Sequence, residues 1–83
     1  MNVRLFARLR EVAGSAEIRV ELPEGSTAGD AWRLLAARHA GLDAYSSSIS
    51  CAVNEDYARL SAPLRDGDEV AFLPPVSGGG GRI

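Results

Sequence analysis

Only one stretch of this 83-residue chain carries a sustained helical pattern, and it lies between two groups of short alternating segments. Ser26 or Thr27 can cap it, and Asp30 falls in the first turn, where the helix dipole favours a negative charge. The spacing predicts a helix to about Ala40, with Gly41 as its left-handed stop. Because one helix with one apolar stripe needs one sheet to cover it, the chain is expected to form a two-layer α+β domain.

Apolar and polar residues alternate in the segments on either side of this helix, as half-buried strands require. The alternation predicts strands at residues 2–10, 17–22, 49–53, 57–60 and 69–73. Pro74 and Pro75 must end the last strand, because proline has no N–H to donate to a ladder. The apolar residues of this last strand allow two orientations, with either Val70 and Phe72 or Ala71 and Leu73 facing inward. Trp32, which flanks the helical stripe, is expected to cover the rim of the sheet.

The composition indicates one small globular domain: 46% of the residues are apolar and 24% are charged. No apolar run approaches the roughly 20 residues that span a bilayer, and residues 1–8 alternate where a signal peptide would be continuously apolar. A cytoplasmic protein with no membrane role is therefore expected. The net charge of −2 argues against a nucleic-acid partner.

Residue types that hold metals or perform catalysis are scarce. Cys51 is the single cysteine and His39 the single histidine, so no disulfide, thiolate cluster or multi-histidine site is predicted within these 83 residues. Cys51 is expected to be a buried strand thiol. No nucleophile–base pair is recognisable, which makes an independent enzyme the least favoured class.

All nine basic residues are arginine. Codon bias is the simplest reading of this pattern, but it has a chemical consequence. A chain without lysine could donate its C-terminus to the lysine of another protein, but its own side chains could hardly receive one.

The last residues differ from the rest of the chain: two prolines and Val76-Ser77 lead into four glycines, Gly78 to Gly81. A glycine run does not help to hold a fold together, because glycine loses the most entropy on ordering. Its bare backbone can enter a slot that any side chain would block. We therefore divide the chain into a domain at 1–75 and a Gly-rich tail at 76–83. The alternative is an inert terminus of the kind common at chain ends.

The stretch 51–79 resembles a known family of ubiquitin-like proteins. Cys51-Ala52-Val53-Asn54 is followed by the run 64–79, LRDGDEVAFLPPVSGG, in which a turn, a strand, a double proline and a diglycine come in fixed order. Together with the N-terminal Leu5-Phe6-Ala7-Arg8-Leu9-Arg10, these residues are similar to the MoaD/ThiS sulfur carriers, the family that includes the small subunit of molybdopterin synthase. The resemblance covers residues 2–79 and implies the β-grasp fold, a mixed sheet packed on one main helix.

The resemblance also implies a function and partners. An E1-like adenylyltransferase would consume ATP to adenylate the C-terminal glycine carboxylate, which would then become a thiocarboxylate. The tail would enter the large subunit of molybdopterin synthase, in a heterotetramer, and supply sulfur for the dithiolene of molybdopterin. The catalytic side chains would belong to that subunit, and no cofactor would be stably bound by this chain.

Four residues follow the diglycine that ends the family pattern: Gly80, Gly81, Arg82 and Ile83. A carboxylate on Ile83, behind a β-branched side chain, would not fit a slot shaped for glycine. Either a peptidase trims the tail, or the extra residues are foreign to the native gene, or this copy carries no sulfur. We predict that Gly79, preceded by Gly78, bears the thiocarboxylate, with Gly81 as the second choice.

The candidate partner-binding residues flank the tail: Phe6, Phe72, Leu73, Pro74, Pro75, Val76 and Ser77. Phe6 could form a docking patch with Arg4 and Arg8, or it could be an isolated exposed aromatic residue. Other functions stay open. They are a carrier for thiazole synthesis, tRNA thiolation or cysteine synthesis, a ubiquitin-like protein modifier, and a β-grasp interaction module with an inert tail.

Overall fold

The computed structural model describes residues 1–75. Its elements in chain order are β1 (Asn2–Leu5), α1 (Ala7–Ala13), β2 (Glu17–Arg19), α2 (Ala28–Arg38), a 3-10 helix (Ala40–Tyr45), β3 (Ser50–Val53), β4 (Asp56–Ala58) and β5 (Glu69–Leu73). None of these helices is long and apolar enough to cross a membrane.

The five strands form one sheet in the order β2-β1-β5-β3-β4, so the last strand lies in the middle. β5 runs parallel to β1, in a register that pairs Asn2 with Glu69 and Leu5 with Phe72. The other neighbouring pairs are antiparallel. The residues that follow β5 therefore leave from the centre of the sheet.

Helix α2 begins at a capping box formed by Thr27 and Asp30. Thr27 Oγ1 accepts a hydrogen bond from the Asp30 N–H at 3.2 Å, and the Thr27 N–H donates to Asp30 Oδ2 at 2.9 Å. The cap confirms the predicted start of the helix. The predicted stop is wrong: α2 ends at Arg38 with His39 as its C-cap, and Gly41 lies inside the 3-10 helix without a positive φ.

The core lies on one face of the sheet, covered by α2 together with α1 and the 3-10 helix. Its buried members are Val3, Leu5, Leu9, Val20, Ala28, Ala31, Trp32, Leu35, Leu42, Cys51, Leu64, Val70 and Phe72. Trp32 does not cover the rim of the sheet as expected. Its ring is buried edge-on against Phe72, and its indole N–H donates to Ser46 Oγ at 2.9 Å. A mixed sheet crossed by one main helix is the β-grasp fold, as the resemblance implies.

The predicted first strand is too long, because β1 ends at Leu5 and α1 begins at Ala7. Leu5 and Leu9 are four residues apart, a spacing that fits both a strand and a helix, and both are buried. Ala7 turns the chain sharply with a φ of 52°, and Gly14 ends α1 with a φ of 79°. β1 and β2 are nevertheless antiparallel neighbours, as predicted.

Candidate functional site at the open sheet face

The faces of the central strand are assigned by burial. Val70 and Phe72 are fully buried under α2, and the alternate residues Ala71 and Leu73 are half-buried on the opposite side. This selects one of the two orientations that the sequence left open. We call the side away from α2 the open face and define it by Arg4, Ala52, Tyr57, Ala71 and Leu73.

Four of these residues form one row across the sheet. The register pairs Arg4 with Ala71, Ala71 with Ala52, and Ala52 with Tyr57. Two small side chains thus lie between two large ones, and Tyr57 is 79% exposed. The row therefore has two small apolar side chains in its middle, an aromatic residue at one side and a cation at the other.

Phe6 extends this face toward the end where β5 finishes. It follows Leu5, the register partner of Phe72, and it brings a ring to the surface, with 37% of the residue exposed. The Arg4 guanidinium lies over that ring, 5.4 Å from its centroid, and Arg4 Nε is 3.7 Å from Glu17 Oε2. Phe6 is therefore held beside the strand from which the tail leaves, in contact with Arg4, one of the two arginines named in the docking-patch hypothesis.

Arg8, the third member of that hypothesis, belongs to α1 and not to the sheet. It is exposed and forms an ion pair with Glu11 at 3.1 Å. Hydrogen bonds with Tyr45 and Glu11 raise the pKa of its guanidinium. Of the three residues in that hypothesis, only Phe6 and Arg4 therefore lie together at the sheet.

The structure separates the predicted partner-binding residues by exposure. Phe72 is fully buried against Trp32, so it offers no surface to a partner, and its placement does not support a direct contact. Leu73 and Pro74 are half-buried and Pro75 is exposed. The predicted residues Val76, Ser77, Gly78, Gly79 and Gly81 lie outside the described residues.

A polar network holds the start of β5. Asn54 Nδ2 donates to Asp68 Oδ1 at 3.0 Å, and Asn54 Oδ1 accepts from the Glu69 N–H at 3.0 Å. The Arg65 N–H donates to Asp68 Oδ2 at 2.8 Å. The bonds from the Arg65 N–H and from Asn54 lower the pKa of Asp68, because they favour the charged carboxylate. The strand that leads to the tail is therefore fixed at its beginning as well as along both edges.

Sequence reasoning missed Tyr57 and Ala52 as members of the site. The alternation around Cys51 places Ala52 on the face opposite the buried thiol, which is a usable signal. Nothing local indicates that β3 lies beside β5, with β4 on the far side of β3. Within residues 1–75, no group of three or more His, Cys, Asp or Glu side chains is placed to hold a metal ion.

A sequence model described as the ThiS family matches residues 3–79. The chain belongs to the ThiS family. This ThiS-family chain is 41% identical to the molybdopterin synthase sulfur carrier subunit of Chlamydomonas reinhardtii, over 95% of its own length and 98% of the relative. It is also 38% identical to small archaeal modifier protein 1 of Haloferax volcanii, over 95% of its own length and all of the relative.

Solved structures of similar proteins share the fold of this ThiS-family chain. The crystal structure of SAMP1 from Haloferax volcanii matches with a TM-score of 0.80 at 38% identity, over 94% of this chain and 97% of that one. A complex of subunits 1 and 2 of the molybdopterin-converting factor from Helicobacter pylori contains a chain that matches with a TM-score of 0.64 at 25% identity. That match covers 94% of this chain and 96% of the other.

Proposed function

We propose that this ThiS-family chain is the sulfur-carrier subunit of a molybdopterin synthase and that its C-terminal glycine carries the sulfur. The observation that carries the proposal is the extent of the family match, which begins in β1 and ends at Gly79, the second glycine of the diglycine. The name of the Chlamydomonas relative, similar along almost its whole length, supports the same role.

The chemistry requires an activated carboxylate at the end of the tail. An E1-like partner would let the Gly79 carboxylate attack the α-phosphorus of ATP, which forms the acyl adenylate and releases pyrophosphate. A sulfur donor at the oxidation level of sulfide would then attack the carbonyl carbon. The new C–S bond replaces the C–O bond, and AMP leaves with the electron pair. Glycine suits this position, because it places no Cβ beside the attacked carbon.

The chain must end in an accessible glycine for this chemistry. A peptidase would therefore remove the residues beyond Gly79 or, as the second choice, those beyond Gly81. Six residues from Pro74 to Gly79 can span roughly 20 Å when extended. The fixed φ of two prolines reduces the entropy lost when such a segment enters a channel. The buried packing of β5 would hold the near end of the tail still while a partner acts on the far end.

The open face, together with Phe6, Leu73 and Pro74, is the surface on which we propose that the large subunit docks. Phe6 and Tyr57 are its exposed aromatic residues, and aromatic residues are enriched at interfaces. The solved complex of subunits 1 and 2 from Helicobacter pylori, which contains a similar chain, supports a partner of this kind. Phe72 would contribute to docking only indirectly, because its buried ring keeps β5 in place.

One experiment tests the carrier role directly. The chain ended at Gly79, the chain ended at Gly81 and the full 83-residue chain are incubated with the E1-like partner, ATP and sulfide. Intact mass spectrometry then detects the exchange of one oxygen for sulfur. We expect exchange in the Gly79-ended chain and none in the full chain. A Gly79→Ala variant of the shorter chain controls for the glycine requirement. If no glycine-ended form exchanges oxygen for sulfur, the proposal fails.

A second experiment tests the docking surface. Phe6→Ala and Leu73→Ala should each weaken binding of the large subunit by about tenfold or more, the size of effect expected at an interface hot spot. Arg38→Ala, at an exposed position of α2, is the matched control and should bind like the parent chain. Titration calorimetry measures all three. Equal affinity of the three variants would place the partner elsewhere.

The second candidate function is a ubiquitin-like protein modifier. It is favoured by the similarity to small archaeal modifier protein 1 along the whole of that relative. The same mass experiment distinguishes the two functions when other proteins are present. An isopeptide bond to a lysine of another protein identifies a modifier, and a thiocarboxylate identifies a carrier.

A further inference from the structure

The basic side chains of this chain are all guanidinium groups. Nine arginines supply every cation of the lysine and arginine class in the sequence. Seven of the eight that lie in residues 1–75 are exposed: Arg8, Arg10, Arg19, Arg33, Arg38, Arg59 and Arg65. A guanidinium stays protonated in proteins, so it has no lone pair to attack a carbonyl carbon. The surface is therefore rich in cations that cannot accept an acyl group.

The single thiol of the chain is kept from reacting by burial. Cys51 is 2% exposed on the buried side of β3, and its Sγ–H donates to the Ala58 carbonyl at 3.2 Å. Burial raises the pKa of the Cys51 thiol, which disfavours the thiolate. Since the thiolate is the reactive form, a buried thiol of raised pKa does not meet an electrophile in solution.

We propose that the folded body is inert to acyl transfer, so that a copy with an activated C-terminus can pass it to a partner but not to the side chains of another copy. This inference rests on the proposed function, because it assumes activation at Gly79. A lysine amine would attack the carbonyl carbon, form a C–N bond, expel AMP with the electron pair and release a proton. The guanidinium groups and the buried thiol supply no such attack. Should the chain act as a modifier, its products would carry copies attached singly and not through one another's side chains.

The first test uses a chemically installed electrophile, so that no activating enzyme is needed. The chain ended at Gly79 is prepared as a C-terminal thioester with its α-amine acetylated. Arg38→Lys, at an exposed position in the last turn of α2, is compared with Arg38→Gln and with the parent chain. A lysine, whose pKa is about 10.4, has at least about 100-fold more free base than an arginine at a given pH.

The parent chain and Arg38→Gln should only hydrolyse. Arg38→Lys should give a two-chain amide, stable to hydroxylamine, at least about tenfold faster than the parent. Mass spectrometry reads the result. A parent chain that links to itself as fast as Arg38→Lys overturns the proposal.

The second test concerns the thiol. In denaturant, Cys51 is exposed and should exchange with the thioester of another copy, so that a new C–S bond forms as the small thiol leaves. We expect a thioester-linked pair, reversed by dithiothreitol, only in the unfolded chain and not in Cys51→Ser. Linked pairs in the native parent, or none in the unfolded parent, would refute protection by burial.

Failure of this inference is distinct from failure of the proposed function. A chain that is never adenylated by the E1-like partner can still be inert as a thioester. Conversely, self-linked thioester chains would leave the sulfur exchange at Gly79 unaffected.

Discussion

The indole ring of Trp32 stands edge-on against the ring of Phe72, with centroids 5.1 Å apart and an interplanar angle of 61°. This contact joins α2 to the central strand one residue before that strand ends at Leu73. Aromatic pairs in this geometry stabilise by about 0.5–1.5 kcal/mol beyond the area they bury. The helix is thereby packed against the strand that leads to the tail. The stability of the domain and the position at which the chain leaves the sheet therefore depend on the same pair of residues.

Phe72 and Leu73 are adjacent, but we expect their replacement by alanine to lower the free energy of unfolding by very different amounts. Phe72→Ala should lower the free energy of unfolding by about 3–5 kcal/mol, since a fully buried ring is replaced by a cavity. Leu73→Ala should cost about 1 kcal/mol or less, because its side chain is only half-buried. Urea unfolding followed by the fluorescence of Trp32, the single tryptophan, measures both. A larger loss for Leu73→Ala than for Phe72→Ala would contradict the assigned orientation of β5.

The turn between β3 and β4 can be improved at one of its two positions. Asn54 and Glu55 both have positive φ, 52° and 74°. Glu55→Gly should stabilise the domain by up to about 1 kcal/mol, because glycine adopts this conformation without Cβ strain.

Asn54→Gly is the matched control for the turn, and the expected sign is reversed. It would remove the hydrogen bonds of the Asn54 amide to Asp68 and to the Glu69 N–H. The unfolding midpoints of the two variants should therefore lie on opposite sides of the parent. Stabilisation by both would mean that the network at the start of β5 contributes little.

Acid should destabilise the domain through two carboxylates. The pKa of Asp30 is lowered by the Thr27 N–H and by Arg33, and the pKa of Asp68 by the Arg65 N–H and Asn54. A carboxylate of depressed pKa stabilises the fold above its unfolded pKa of about 3.9, and this contribution is lost as the pH falls through the folded value. The urea midpoint should be level above about pH 5 and decline below about pH 4.

Asp30→Asn and Asp68→Asn test the origin of that decline. Each variant should be less stable than the parent at neutral pH and should lose less stability on acidification. The double variant should have the flattest profile. Profiles parallel to that of the parent would assign the acid sensitivity to other groups.

The hydrogen bond from Trp32 to Ser46 should contribute less to the stability of the domain than the packing of the Trp32 ring does. Ser46→Ala removes only the acceptor, at a half-buried position where water can replace it, and should cost about 1 kcal/mol. Trp32→Phe keeps an aromatic ring near Phe72 but loses volume and the N–H, and should cost more. Thermal unfolding followed by circular dichroism compares the two variants. A greater loss for Ser46→Ala would show that the polar contact, and not the packing, fixes the indole.

The parts of the fold that were predictable have strong local signals. The bounds of β5 follow from the turn at 65–68 and the two prolines, and the start of α2 follows from Thr27 and Asp30. The predicted β1 is too long because the spacing of Leu5 and Leu9 fits both the two-residue repeat of a strand and the 3.6-residue repeat of a helix. The signal that could have separated them is Gly14, whose left-handed conformation ends α1.

The candidate site was predictable only in part, because it depends on contacts between distant segments. Phe6 and Leu73 stand out as apolar residues near the tail, but their common location requires the parallel pairing of β1 with β5. Tyr57 joins the face only through β3. The burial of Trp32 likewise depends on Phe72, forty residues further along the chain. No local pattern encodes these neighbours.

The central position of β5 has a consequence for how the protein is made. β1 is synthesised first, yet one of its two neighbours in the sheet is the last strand of the domain to leave the ribosome. A nascent or truncated polypeptide that lacks residues 69–73 cannot join the two halves of the sheet. The sheet is therefore completed only once the last strand has been synthesised, so closure of the body and the exit of the chain from the centre of the sheet form together.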